Sequence, residues 1–146
     1  MNEDTIAARM REIFDCAPFV RWLGMEVLGA GEGWCETLLL PREELRQQNG
    51  FLHAGVVSTM ADHTAGASAG TVLPPGISPL TAEYKINLLR PALGDRFRCR
   101  ADVLKPGKTL VIAESSVYAI TGDTEKLIAK ALVTLAAVKV DLLPPA

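Results

Sequence analysis

The 146-residue chain is short of the features that announce nucleic-acid binding, metal chemistry or export. Its 15 Lys and Arg are outnumbered by 17 Asp and Glu, a formal net charge of -2, so no basic excess is available to neutralise a run of phosphates. Nucleic acid is therefore not an expected partner. Two histidines and three scattered cysteines, Cys16, Cys35 and Cys99, fit neither a zinc-ligand spacing nor a disulfide framework. No metal is expected, and the cysteines read as buried or half-buried thiols in a reducing compartment. The acidic start Met1-Asn2-Glu3-Asp4 lacks the apolar stretch of a secretory leader, and no apolar run is long enough to span a bilayer. The expectation is a cytoplasmic protein without membrane attachment. No phosphate-cradling glycine loop, dinucleotide fingerprint, internal repeat or low-complexity segment is present, and no cofactor is expected.

What is present is an ordinary globular composition, 49% apolar and 22% charged, at a length suited to one domain over residues 1–146. Ile6, Met10 and Ile13 recur at helical spacing and predict a short amphipathic helix over 4–14, capped by Asp4 or Thr5, packing as a lid. Glycine-broken apolar stretches over 25–40 predict a hairpin. Residues 54–71 are small and apolar over a run too long for a strand. They predict a buried helix, whose alanines and glycines let a sheet approach closely, ended by Pro74-Pro75-Gly76.

The rest alternates as strands do. Leu80, Ala82, Tyr84, Ile86 and Leu88 fall on one face, with Thr81, Glu83, Lys85 and Asn87 on the other. Phe97, Cys99, Ala101 and Val103 repeat the pattern up to a turn at Lys105-Pro106-Gly107-Lys108. Longer strands are expected over 109–120 and 127–138, and only the Pro144-Pro145-Ala146 tail reads as loose.

The chemistry gathers in Gln47-Gln48-Asn49-Gly50-Phe51-Leu52-His53-Ala54-Gly55 and the helix that follows. The first N–H groups of a helix lack internal partners and sit at the positive end of its dipole, so Ala54, Gly55 and Val56 are candidate oxyanion donors. Asp62 is a lone carboxylate in a nearly uncharged helix, where burial is costly unless the group is paired, protonated or used. A Ser58-His63-Asp62 set is disfavoured, because neighbours on a helix point about 100° apart and Ser58 lacks a nucleophile-elbow context. His63 reads as a solvent-edge or core-satisfied histidine, and His53 as a residue that holds the turn by hydrogen bonds. Lys85, Arg90, Lys105 and Lys108 either surround an anionic ligand or line a solvated sheet edge.

Gly50-Phe51-Leu52-His53-Ala54-Gly55, then Met60-Ala61-Asp62, Tyr84-Lys85-Ile86-Asn87-Leu88-Leu89-Arg90-Pro91-Ala92 and Lys105-Pro106-Gly107-Lys108, resemble in order the motifs of the PaaI-like branch of hotdog acyl-CoA thioesterases. The resemblance implies an α+β hotdog fold: a long central helix wrapped by a curved antiparallel sheet, with a short N-terminal helix. It also implies a homodimer or homotetramer, an acyl-CoA substrate, and sites at the subunit interface. Carried over, Asp62 is the nucleophile or general base and the Ala54 N–H polarises the thioester carbonyl. Gln47, standing where many relatives have Asn, helps place the water or carbonyl. Thr81 assists the carboxylate, and His53 and Gly55 complete the loop. Asn49, Gly50, Arg90, Lys105 and Lys108 are candidate substrate contacts. Ala54 departs from the family's glycine, and Gln47 is one methylene longer than Asn. The rival expectations are a non-catalytic acyl-CoA binding module and a hotdog enoyl-thioester hydratase. Within one helix Ala54 and Asp62 stand ~12 Å apart, so acting on one carbonyl requires two chains.

Overall fold

Asn2, rather than Asp4 or Thr5, starts the first helix, α1 (Glu3–Cys16): its side-chain oxygen accepts from the Thr5 N–H at 2.9 Å and the Thr5 hydroxyl at 2.7 Å. The structure, a computed structural model, describes residues 1–144, so Pro145 and Ala146 of the expected loose tail lie outside the described residues. Helix α1 buries Ile6, Ala7, Met10 and Phe14 and packs on the first strand. A second helix, α2 (Pro18–Leu23), was not foreseen from apolar spacing. Its signals are local: Pro18 at the first turn, where no N–H is needed, and Gly24 closing the helix at φ +76°.

The expected hairpin is β1 (Glu26–Gly31) and β2 (Trp34–Leu39). Helix α3 (Ala54–Gly70) follows, then β3 (Ile77–Leu88), β4 (Arg96–Lys105), β5 (Leu110–Thr121) and β6 (Thr124–Lys139). The six strands form one antiparallel sheet in the order β1-β2-β4-β5-β6-β3, and α3 packs against β2 through β6. Ala61, Ala65 and Ala69 are fully buried, so their small side chains bring the helix close to the sheet. Contact is close enough for the Ser115 hydroxyl to donate to the Ala61 carbonyl at 2.7 Å, and for Thr37 and Thr64 hydroxyls to pair at 2.8 Å. The architecture is the α+β hotdog arrangement the resemblance implies.

The strand β3 corrects the simple alternation. Its register with β6 shifts between Thr81 and Glu83, leaving Ala82 as a bulge. Paired residues share a face, and on β6 Ala129, Ala131, Val133 and Leu135 are the buried, helix-facing set. Thr81, opposite Leu135, therefore shares the inner face with Tyr84, Ile86 and Leu88, while Leu80 turns outward with Glu83, Lys85 and Asn87. Without the bulge, Thr81 would point away from α3.

Candidate active site

Asp62 is half-buried on α3, and its Oδ1 accepts a hydrogen bond from Thr81 Oγ1 at 2.6 Å. Among the described residues no Lys or Arg pairs with it. The carboxylate is thus held by one hydroxyl, with its other oxygen available. A cavity of about 350 Å³ opens beside it, walled by Met10 and Ile13 of α1 and by Pro79 and Thr81 of β3. Helix α1 contributes a wall here, as a lid would.

The start of α3 narrows the list of oxyanion donors. The Gly55 N–H donates to His53 Nδ1 at 2.8 Å, and the Val56 N–H to the His53 carbonyl at 2.9 Å, so both are engaged. Ala54 N–H has no acceptor among the described residues. His53 acts as the cap of α3 through an imidazole nitrogen that accepts, in keeping with a residue that holds the turn. Gln47 Oε1 accepts from the Asn49 N–H, and Gly50 sits at φ +84°, so the loop closes on itself before the helix. Ala54 and Gln47 line a second cavity, about 330 Å³, with Phe51, Leu88, Arg90 and Ile128.

The candidate residues therefore divide. Gln47, Ala54 and Arg90 share one cavity, Asp62 and Thr81 another, and eight residues of continuous helix separate Ala54 from Asp62 by ~12 Å. The cations divide too. Arg90 Nη1 donates to the Leu127 carbonyl at 2.7 Å, near the start of β6, whereas Lys108 lines a cavity with Val72, Leu73 and Ile77 at the opposite end of α3. Leu89 bonds to Ile128 and Thr109 to Ala137, so these ends lie ~30 Å apart along β6. Within one chain Arg90 does not meet Lys105 or Lys108. Asn49 is exposed on the loop, outside both cavities.

Two readings are corrected. His63 is not satisfied: its Nε2 is buried without a partner among the described residues, and the ring packs edge-on to Phe14 at 4.6 Å. Burial pushes its pKa below the ordinary histidine value, against the opposing field of Asp62, and favours the neutral imidazole. Cys16 is exposed rather than buried, while Cys35 and Cys99 are buried thiols pushed up to about 12, chiefly by desolvation. Spacing alone did not reveal Met10 and Ile13 as cavity walls, because that role depends on how α1 lies against β3.

A helix sheathed by a curved sheet, with a hydroxyl-held carboxylate and a free helix N–H in apolar cavities, defines a hotdog-class protein. A family model described as the thioesterase superfamily matches residues 49–126, the span holding Ala54, Asp62 and Thr81. The chain belongs to the thioesterase superfamily. It is similar to a solved thioesterase family protein from Silicibacter pomeroyi, 38% identical with a TM-score of 0.88 over 92% of this chain and 98% of that one. A conserved protein from Pseudomonas aeruginosa is 29% identical with a TM-score of 0.77 over 84% and 94%. A 1,4-dihydroxy-2-naphthoyl-CoA hydrolase of Listeria monocytogenes is 27% identical over 117 residues, 80% of this chain and 93% of that protein.

Proposed function

We propose that the protein is a PaaI-like thioesterase that hydrolyses an acyl-CoA to the free acid and CoA, at sites shared between the chains of a dimer. One observation carries this reading: Asp62, held by Thr81, and the free Ala54 N–H open into different cavities ~12 Å apart along α3. A second chain supplies the missing half of each.

The sheet edge supports the pairing. β3 bonds only to β6, and its inner-face Tyr84 and Leu88 stay 44% and 52% exposed. Such an uncovered edge invites a strand from another copy. Antiparallel pairing of β3 with its two-fold mate sets the Leu88 end of one chain beside the Thr81 end of the other. The cavity at Ala54 then adjoins the partner's Asp62. The same symmetry carries the partner's Lys105 and Lys108 toward Arg90, a cationic rim suited to CoA phosphates. The assembly is a homodimer, or a homotetramer made of two such dimers.

In the reaction, the carbonyl oxygen accepts from the Ala54 N–H, which stabilises the oxyanion as it forms. Gln47 helps seat the carbonyl or the water. Asp62 acts either as nucleophile, bonding to the carbonyl carbon and expelling the CoA thiolate to leave a mixed anhydride that water hydrolyses to the acid and free Asp62, or as general base. As a base it takes a proton from water while the water oxygen bonds to the carbon; the C–S bond then breaks, and the CoA thiolate leaves and is protonated. Thr81 keeps Asp62 oriented. The test is hydrolysis of an acyl-CoA panel, read as released thiol, by wild type and by Asp62→Asn. Turnover that falls ~100-fold or more in the variant supports the reading. Tight acyl-CoA binding without turnover, or hydration of an enoyl-CoA instead, replaces it with one of the two rival functions.

A further inference from the structure

Helix α3 contains Gly55, Gly66 and Gly70, and the fold itself explains only the first. A methyl on Gly55 would meet His53 Nδ1 at 3.0 Å, a tight contact that would push on the imidazole making the capping bond. A methyl on Gly66 would first meet Leu135 Cδ2 at 3.8 Å, and one on Gly70 would meet Pro79 Cγ at 3.9 Å, both ordinary contacts. Alanine thus fits at 66 and 70 and is the better helix former; the neighbouring positions 65, 67 and 69 are already alanine. Both glycines line the cavity beside Asp62. The methyls left out are volume added to that cavity.

The direction of the added volume is set by the helix. Asp62, Gly66 and Gly70 recur every four residues and share a face, so the space runs from the carboxylate along the axis for ~12 Å. Its walls are Met10 and Ile13 on one side and Pro79 and Thr81 on the other, and its volume is about 350 Å³. An extended alkyl chain advances ~1.3 Å per carbon, from a C–C bond of ~1.5 Å at tetrahedral angles. We infer that Gly66 and Gly70 are specificity-determining residues that hold open a straight apolar channel from Asp62 for a linear acyl chain of about eight to ten carbons. This rests on the reading of the Asp62 site as a thioesterase site and names its substrate class. Glycine spacing along the axis favours length over width, hence a linear chain over a fused ring.

The experiment measures kcat/KM on straight-chain acyl-CoAs from acetyl to palmitoyl, and on benzoyl-CoA. It uses wild type, Gly66→Leu, Gly70→Leu and the gentler Gly66→Ala and Gly70→Ala, with Tm and solution mass recorded for each. Wild type should be fastest on octanoyl- or decanoyl-CoA. Gly70→Leu should lose ~10-fold or more on decanoyl-CoA, since even one methylene displaced from an apolar pocket is worth ~10-fold or more, while butyryl-CoA, too short to reach Gly70, stays within ~3-fold. Gly66→Leu should move the optimum to butyryl-CoA or shorter. The alanine variants should keep their mass, gain ~3 °C in Tm and lose decanoyl relative to butyryl activity. Unchanged chain-length profiles, alanine variants that lower Tm, or a wild-type preference for benzoyl-CoA overturn the inference while leaving thioester hydrolysis standing. Wild type inert on the whole panel overturns the thioesterase reading and this inference with it.

Discussion

Thr81 Oγ1 donates to Asp62 Oδ1 at 2.6 Å from a strand whose bulge at Ala82 turns it toward α3. A hydrogen bond to a charged group contributes about 1.5–3 kcal/mol, so Thr81→Val should lower kcat by roughly 10- to 100-fold with little change in Tm, and Thr81→Ser should retain most activity. Steady-state kinetics on both variants check this. A Thr81→Val enzyme with wild-type kcat would show that the hydroxyl does not serve the carboxylate.

The bulge also marks the limit of what was legible in the sequence. Helix α3, the hairpin and four later strands were readable because their periodicities are local, and Asp62 stood out as a charge in an apolar helix. Strict alternation puts Thr81 on the face opposite Leu80 and Tyr84; only pairing with β6 reveals the unpaired Ala82 that brings Thr81 and Tyr84 to one face. Helix α2 is six residues long, too short for a periodic signal, and its Pro18 and Gly24 punctuation was the available cue. The unpartnered His63 Nε2 depends on how Phe14 of α1 lies over α3, which no spacing along either helix encodes.

The division of cations gives a second prediction. Arg90 adjoins the cavity at Ala54, and Lys108 lines a cavity at the other end of α3, so in the proposed dimer it is the partner's Lys108 that would approach Arg90. Arg90→Ala and Lys108→Ala should each raise KM for acyl-CoA by ~10-fold, about one charge-assisted contact, while barely affecting a thioester without the nucleotide. Equal effects on the two substrates would assign these residues to a solvated edge.

His63 provides a pH test. Its folded pKa is held below the unfolded value near 6.5, so above that value both states are neutral and the imidazole adds no pH dependence. As pH falls through 6.5 toward the lower folded value, the unfolded chain takes up the proton first and stability drops. His63→Leu removes this loss, so its Tm advantage over wild type should be larger at pH 5 than at pH 8. An advantage independent of pH would contradict the buried neutral imidazole.

Thiol accessibility checks the placement of the cysteines. One equivalent of an aromatic disulfide reagent should react promptly with the native protein, at exposed Cys16, and all three thiols after unfolding. Prompt reaction of Cys35 or Cys99, whose burial raises their pKa to about 12, would contradict a helix sealed against β2 and β4.

The shared site is the central claim, and subunit mixing tests it most directly. Ala54 is the first residue of α3 and follows His53 at φ -62°, ψ 139°, so proline fits there and deletes only the unengaged N–H. Ala54→Pro and Asp62→Asn homodimers should each lose ~100-fold or more in kcat. In a heterodimer of the two, one site collects both changes and the other none. A randomly exchanged mixture, about half heterodimer with one intact site of two, should recover roughly a quarter of wild-type activity. Activity no higher than the average of the separate variants, with heterodimer confirmed by mass spectrometry, would contradict a site that joins Ala54 of one chain to Asp62 of the other.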